Sequence, residues 1–415
     1  MADTIHILDY VCGTGKSTYI LNKLKQISAP RFIYISCLLS EIEERVQEEL
    51  AHLDVCIPSD ENGTKSSDVL EALKQGRNIA ATHSLFLRFN KEAIRYMQQW
   101  GYILVVDEVL DFITPYRKYS SQDVKDLINL DQISVDKESN GRVKVNQEFE
   151  GYYSELKDYS EKGLVYASTE DFTVFNLQIP PDVIKAAKEC YVLTYLYDSS
   201  EMQRFLTLHN INYKHMDVPE LKEREIMIKS KIKENINLIS IKSADEVIRS
   251  LRSTRNTALS HSWWSTKKDK AEEYLKKLDN WLHNNKHRTD FYFTSPKEVF
   301  ESKGIGTKKS LGLNCLKSTT YNETDEVNLW LASSTKATND YADRTLCLFL
   351  LNTYPNVGLQ KYFEQYCTPL DHDRYALSEL VQFIFRGSIR TGKPMDLYIG
   401  SPRMKEIFGD WLNSV

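Results

Sequence analysis

The feature that most constrains the fold is a glycine-rich turn near the start of the chain, Cys12-Gly13-Thr14-Gly15-Lys16-Ser17-Thr18. A short apolar run at residues 5–8 precedes this turn, and a helical pattern follows it from Lys16 to Lys25. A strand, a glycine turn and a helix in this order predict a phosphate-binding loop, because glycines let backbone N–H groups approach an anion and the helix N-terminus attracts negative charge. Lys16 is predicted to contact the β- and γ-phosphates of a nucleotide, and Ser17 to ligate Mg²⁺.

A pair of acids supplies the second half of a nucleotide site. Residues 102–107 (YILVVD) are apolar almost throughout, as in a buried parallel strand, and the run ends in Asp107 followed by Glu108. Ligands of α/β sheets bind at the carboxyl ends of the strands. Asp107 is therefore predicted to hold Mg²⁺ through its water shell, and Glu108 to orient and deprotonate the attacking water. A water-activating glutamate favours hydrolysis over phosphoryl transfer to a small molecule.

Strand and helix patterns alternate along both halves of the chain, which predicts an α/β fold with parallel sheets. The alternation stops at about residues 116–179, a charged stretch in which residues 165–177 have the pattern of a β-hairpin. We interpret this stretch as an insertion into a first lobe spanning residues 1–218. A charged run at residues 219–234 is predicted to connect that lobe to a second one spanning residues 235–415.

Composition limits the class of protein. The formal net charge of −5 excludes a general positive field, so any nucleic acid must be held by local basic patches. The seven cysteines form no CxxC pair, which predicts reduced thiols and no structural zinc. We expect no signal peptide and no membrane-spanning segment, and therefore a cytoplasmic protein without a membrane partner.

Three further stretches carry candidate binding residues. Residues 375–390 (YALSELVQFIFRGSIR) read as one helix on which Gln382, Arg386 and Arg390 stand four apart and form one polar stripe. This stripe needs an anionic partner, either an internal carboxylate or a bound nucleotide. Trp263, Trp264 and Lys267 combine aromatic and basic side chains, as in contacts to single-stranded nucleic acid. Residues 304–310 (GIGTKKS) imitate a second phosphate loop, but they lack a preceding strand and are interpreted as a surface loop with a basic phosphate contact.

With these motifs assembled, the chain resembles superfamily 2 helicases, and within them the compact DEAD/DEAH-like type carried by tailed phages and mobile elements. The segments that carry the resemblance are CGTGKST, FIYISCLLSEIEERV, AATHSLF, ILVVDEVLDFI, YVLTYLYDSSEM, SSTKATNDYADRT, QFIFRGSIR and YIGSPRM, in helicase order along nearly the whole chain. The resemblance implies two RecA-like P-loop NTPase lobes, ATP and Mg²⁺ as cofactors, and nucleic acid as partner, with single-stranded DNA favoured over RNA.

The same resemblance assigns roles to other residues. It implies nucleic-acid contacts for Thr82, His83 and Ser84, and it implies that a group of residues couples hydrolysis to lobe movement: Thr194, Tyr195, Thr338, Asn339 and Asp340. It also implies that one arginine of the stripe completes the nucleotide site from the second lobe. Arg390 is the preferred finger, and Arg386 is expected to order the cleft or to pair with Asp107 or Glu108.

The chain departs from the helicase pattern at three places. Tyr10 stands where the phosphate loop usually has glycine or alanine. The acidic box reads Asp-Glu-Val-Leu, and the arginines stand four apart, with Phe385 at the glycine of the usual pattern. Alternative functions are a terminase-like packaging ATPase, a non-catalytic binding module on a helicase scaffold and, more distantly, a small-molecule kinase.

Overall fold

The fold is described by a computed structural model that covers residues 4–28, 30–37, 39–61, 63–146, 149–169, 173–251, 255–301, 303–322, 325–335 and 340–414. The chain divides into two compact units. The first contains Met1–Tyr10, Gly15–Leu221 and Pro355–Asp371, and the second contains Val11–Thr14, Lys222–Tyr354 and His372–Val415. The segment Pro355–Asp371 thus groups with the first unit, whereas the sequence pattern assigns it to the second lobe.

The strands and helices follow in chain order. The strands are β1 (Ile5–Asp9), β2 (Phe32–Ser36), β3 (Val55–Cys56), β4 (Asn78–Thr82), β5 (Ile103–Asp107), β6 (Ile113–Pro115), β7 (Ile133–Asp136), β8 (Arg142–Val145), β9 (Val165–Ser168), β10 (Val174–Gln178), β11 (Glu189–Thr194), β12 (Tyr213–His215), β13 (Ile236–Leu238), β14 (Phe291–Thr294), β15 (Thr319–Asn322), β16 (Asp325–Asn328), β17 (Leu346–Phe349) and β18 (Met395–Ile399). The helices are α1 (Lys16–Lys25), α2 (Leu39–Glu49), α3 (Lys65–Lys74), α4 (His83–Phe86), α5 (Lys91–Trp100), α6 (Ser121–Asn129), α7 (Ser154–Glu161), α8 (Asp182–Lys185), α9 (Glu201–Leu208), α10 (Pro219–Asn235), α11 (Lys242–Arg249), α12 (His261–Thr266), α13 (Lys268–Asn284), α14 (Lys297–Phe300), α15 (Val357–Tyr366), α16 (His372–Ile384) and α17 (Pro402–Asn413).

The first unit is built on a parallel sheet with the strand order β12-β1-β11-β5-β2-β4-β3. Its central strands are apolar because both faces are covered, as is usual for parallel sheets. Leu8, Tyr34, Val105 and Leu193 from four of these strands pack with Ile20 of α1 in one buried cluster. This order places β11 between β1, which leads into the phosphate loop, and β5, which ends in the acidic pair.

The predicted insertion forms a sheet of its own. Strands β6 to β10 pair in the antiparallel order β6-β10-β9-β8-β7. The predicted hairpin corresponds to β9 and β10, which is one pair of this larger sheet. Val124, Val143, Leu156, Val165 and Phe175 form its buried cluster.

The second unit contains a smaller parallel sheet with the order β13-β18-β17-β14. Its core includes Leu259, Tyr274, Leu278, Phe293 and Leu348. The two parallel sheets confirm the predicted α/β class. The charged run predicted to connect the lobes lies in α10. No helix in the described part of the chain combines the length and apolarity needed to cross a bilayer.

Candidate functional site

The phosphate loop joins β1 to α1 through residues 10–15. Gly13 and Gly15 have φ values of 86° and 88°, a left-handed conformation that disfavours residues with a Cβ. Gly15 lies directly before the first turn of α1, and the first backbone N–H groups of an α-helix have no partner within the helix. Lys16 Nζ donates to the backbone carbonyl of Tyr10 at 2.7 Å, which holds the ammonium group across the loop. Thr14 is buried and Thr18 is exposed.

The structure accounts for the unusual tyrosine at the start of the loop. The Tyr10 side chain is buried, and its hydroxyl donates to the backbone carbonyl of Met216 at 2.8 Å and accepts from the backbone N–H of Val218 at 2.7 Å. The ring therefore packs into the core of the first unit, and the hydrogen bond from Lys16 goes to the backbone carbonyl of Tyr10. A bulky residue at this position is compatible with the loop.

The acidic pair lies beside the loop. Ser17 Oγ donates to Asp107 Oδ2 at 2.8 Å, and the buried hydroxyl of Tyr34 donates to the same oxygen. Glu108 has a φ of 67°, which is uncommon for a residue other than glycine and is often found at functional sites. Its backbone N–H donates to the carbonyl of Leu193 at 2.9 Å. The four predicted residues Lys16, Ser17, Asp107 and Glu108 thus lie at the carboxyl edge of one sheet.

These side chains fit the requirements of Mg²⁺. A serine hydroxyl and a carboxylate oxygen in direct contact are hard oxygen ligands, and Mg²⁺ usually takes only one or two protein ligands beside water and phosphate oxygens. Within the residues that the structure describes, no group of three or more His, Cys, Asp or Glu side chains could hold a metal ion by itself. Ser17 and Asp107 would hold the ion together with the nucleotide.

His83, directly after β4, lies beside the acidic pair. His83 Nε2 donates to the backbone carbonyl of Asp107 at 3.0 Å, and Cys37 Sγ lies 3.4 Å from His83 Nδ1 and 3.6 Å from Glu108 Oε2. His83 therefore contacts the acidic pair, and its predicted nucleic-acid contact stays a prediction. Thr82 Oγ1 and Ser84 Oγ lie 3.2 Å apart, and Ser84 is exposed. A nucleic-acid contact through Thr82 and Ser84 stays a prediction.

Sequence reasoning missed Cys37, the role of His83 and the role of Tyr34. Part of the evidence is present in the sequence, because polar residues at the ends of predicted strands are candidates for a site. Tyr34 lies within β2, Cys37 directly follows β2 and His83 directly follows β4. Only the strand order β5-β2-β4 brings these positions next to Asp107 and Glu108.

The end of β11 touches both parts of the site. The carbonyl of Thr194 accepts from the backbone N–H of Tyr10 at 3.1 Å, and the preceding Leu193 carbonyl accepts from Glu108. Thr194 and Tyr195 are buried. A coupling role for these two residues stays a prediction. The backbone contacts join the end of β11 to both the phosphate loop and the acidic pair, so a shift of this strand would move both. Of the other predicted coupling residues, Thr338 and Asn339 lie outside the described residues, and Asp340 is exposed.

The arginine stripe does not form as predicted. Helix α16 ends at Ile384, and Arg390 lies in a separate 3-10 helix, Ser388–Thr391. The carbonyls of Phe383 and Ile384 accept from the backbone N–H groups three residues on, those of Arg386 and Gly387, at 3.2 and 3.1 Å, and the hydroxyl of Tyr292 donates to the same pair of carbonyls at 3.2 and 3.0 Å in a shared hydrogen bond. The backbone N–H of Ser388 instead donates to the carbonyl of Arg344 at 2.9 Å.

The three members of the stripe consequently have different surroundings. Arg386 is buried, donates to the carbonyl of Ser333 at 3.2 Å and lies 5.5 Å from the centre of the Phe383 ring. Gln382 is half-buried and donates to Ser378 Oγ at 3.0 Å. Arg390 is exposed. The prediction of one continuous polar face is therefore wrong, and Arg390 is the arginine whose side chain is open to a ligand.

The two tryptophans also differ from the prediction. Trp263 and Trp264 are 4% and 2% exposed and belong to the core of the second unit. Their rings pack edge to face, with centroids 5.1 Å apart, and both contact Tyr274. The prediction that either ring stacks on a base is therefore wrong, because neither ring has an accessible face. Lys267 is exposed, and its predicted phosphate contact stays a prediction.

Comparisons with known proteins show similarity along the whole chain. Residues 230–412 match the family model described as the YonV C-terminal Rossmann-like domain, in agreement with the parallel sheet of the second unit. The chain is 24% identical to the SPbeta prophage-derived uncharacterized protein YonV of Bacillus subtilis (strain 168), over 99% of both proteins. This relative agrees with the resemblance to phage-carried proteins.

Similar solved structures include two chains whose names refer to XPD. One is named XPD_Helicase (TM-score 0.47, 9% identity, 99% of this chain and 95% of that chain), and the other is the structure of S. tokodaii Xpd4 (TM-score 0.44, 14% identity, 98% and 94%). These scores are too low to establish a common fold.

Proposed function

We propose that this protein is an ATP-dependent motor of the helicase or translocase type, which hydrolyses ATP with Mg²⁺ and acts on nucleic acid. The observation that carries the proposal is the contact between Ser17 and Asp107 at the carboxyl edge of a parallel sheet, with Lys16 and Glu108 on the same edge. A lysine, a hydroxyl and two successive carboxylates in this arrangement match the requirements of nucleoside triphosphate hydrolysis.

Each residue of the site has a distinct role in the proposal. Lys16 exchanges the carbonyl of Tyr10 for the β- and γ-phosphates, and the backbone N–H groups of the first turn of α1 bind phosphate oxygens. Bound Mg²⁺ would neutralise charge that develops on the phosphate oxygens. Glu108 orients and deprotonates the attacking water, and Arg390 is the proposed arginine finger.

Nucleic acid is the proposed polymer along which the motor moves, because the chain resembles helicases. Single-stranded DNA is preferred to RNA as this partner. The chain has a net charge of −5, so binding must depend on local lysine and arginine patches. A host cytoplasm is the proposed location.

The proposal is tested by measuring ATP hydrolysis with and without single-stranded DNA or RNA. We expect the rate to rise when a single strand is added. Lys16→Ala should abolish hydrolysis and weaken nucleotide binding, because the loop loses its charged phosphate contact. A wild-type protein that hydrolyses no nucleoside triphosphate under any of these conditions would contradict the proposal.

A further inference from the structure

The second unit contains a cavity that the nucleotide site does not use. It has a volume of about 560 Å³ and lies among α12, the start of α13, and α14 with the loop that follows it. Small-ligand sites in proteins typically measure about 300 to 1,000 Å³, so the cavity can hold one group of nucleotide size.

The loop on one side of the cavity is the stretch that imitates a second phosphate loop. A Cβ on Gly304 would lie 2.3 Å from the carbonyl oxygen of Glu298, and a Cβ on Gly306 would lie 2.6 Å from the ring of Phe300. Both glycines are therefore explained by close packing against α14. The loop is fixed on this helix, and Lys303 leads into it with a left-handed φ of 76°.

The charge around the cavity is predominantly positive. Lys268 and Lys303 line it and are exposed, Lys267 adjoins Lys268 in sequence, and Lys309 is exposed at the far end of the loop. Across the described residues, none of these four lysines forms an ion pair with a carboxylate, whereas the neighbouring Lys308 pairs with Glu272 at 2.5 Å. Glu298 is the acidic residue of the lining. Ammonium groups without protein counterions are available to the phosphates of a polyanion.

The rest of the lining suits a nucleobase. Pro296, Val299 and Ile305 supply apolar surface, and Ser262 and Ser265 supply hydroxyl groups. Trp264 also lines the cavity, and its buried indole N–H has no hydrogen-bond partner among the described residues. This N–H is itself buried, so the contacts to a base would come from the apolar surface and the serine hydroxyl groups.

We propose that this cavity binds one nucleotide of a single-stranded nucleic acid, with its base inside and the adjacent phosphates on Lys268 and Lys303. A single strand is specified because a base in a duplex is stacked and paired, and cannot enter a recess of this size without being flipped out. The proposal rests on the proposed function in taking nucleic acid as the partner, and it locates one contact surface within the second unit.

The test measures how salt changes the affinity for a fluorescein-labelled oligodeoxythymidylate of about 20 nucleotides, by fluorescence anisotropy without ATP. Each phosphate contact on a single strand contributes about 0.7 to the slope of log affinity against log salt. Lys268→Ala/Lys303→Ala should therefore lower the slope by about 1.4. Lys268→Arg/Lys303→Arg should retain it, because the charges remain.

The matched control is Lys276→Ala/Lys277→Ala, which removes two exposed lysines from the middle of α13. An unchanged slope in the first variant, or an equal loss in the control, would overturn the proposal, as would a wild-type protein that does not bind the oligonucleotide. Equal affinity and slope for a duplex of the same length would overturn the single-strand assignment. Because the assay contains no nucleoside triphosphate, a failure to hydrolyse ATP would count against the proposed function alone.

Discussion

At the scale of single residues, the carboxylate of Glu108 is held by neighbours that do not belong to a nucleotide motif. Cys37 Sγ donates to Glu108 Oε2 at 3.6 Å, and His83 contacts the same thiol while it donates to the carbonyl of Asp107. A carboxylate that must align one water molecule benefits from a fixed orientation. Cys37 and His83 therefore act as positioning residues for Glu108 in the proposed mechanism.

This arrangement predicts a selective loss of turnover when the thiol is removed. Cys37→Ala should lower kcat about tenfold, equivalent to about 1.4 kcal/mol, while the Kd for ATP stays within about twofold. Steady-state kinetics and equilibrium nucleotide binding measure the two quantities. Cys37→Ser is the matched control and should retain most of kcat, since its hydroxyl can still donate to Glu108. Equal kcat values in Cys37→Ala and the wild type would show that the thiol does not position the base.

At the scale of secondary-structure elements, the end of α16 determines which arginine can meet a ligand. The spacing of Gln382, Arg386 and Arg390 is compatible with one long helix, and the sequence pattern alone cannot exclude it. The last turn tightens into hydrogen bonds between residues three apart, and the hydroxyl of Tyr292, on the distant strand β14, donates to the same two carbonyls. The extended Gly387 that follows packs against the same ring, where a Cβ would lie 2.8 Å away. Such a tertiary contact leaves no local trace in residues 375–390.

The two arginines should consequently respond differently to substitution. Arg390→Ala should lower ATP turnover by about 10³-fold with little change in ATP affinity, as expected for an arginine finger. Arg386→Ala should instead reduce the free energy of unfolding by about 2 kcal/mol, because a buried side chain is truncated and the half-buried carbonyl of Ser333 loses its donor. Single-turnover kinetics and urea unfolding separate these effects. Normal turnover in Arg390→Ala would remove Arg390 from the site.

At the scale of the whole molecule, local sequence patterns predict the parallel sheets, but they do not predict which distant segments pack together. The phosphate loop and the acidic pair are contiguous motifs next to apolar strands, so their chemistry can be read along the chain. The grouping of Pro355–Asp371 with the first unit depends on long-range packing, and its residues have an ordinary helical pattern. The insertion likewise shows one hairpin in sequence, whereas a five-stranded sheet forms around it.

The residues of the candidate site also divide into those that a local motif reveals and those that only long-range packing reveals. Lys16, Ser17, Asp107 and Glu108 could be predicted because each lies within or beside a motif. Cys37 and His83 required the strand order, since nothing in the residues around them indicates that β2 lies between β5 and β4. Burial of Trp263 and Trp264 was also undetermined by the local pattern, because an aromatic pair beside lysines fits a core as well as a binding surface.

The measurement that tests the central claim most directly compares ATP binding and ATP hydrolysis in Glu108→Gln and the wild type. The substitution keeps the size of the side chain and removes its charge and basicity. We predict that Glu108→Gln binds ATP within about twofold of the wild-type affinity and hydrolyses it about 10² to 10⁴ times more slowly, the usual contribution of a general base. Equal turnover in the two proteins would contradict the assignment of Glu108 and, with it, the proposed hydrolytic site.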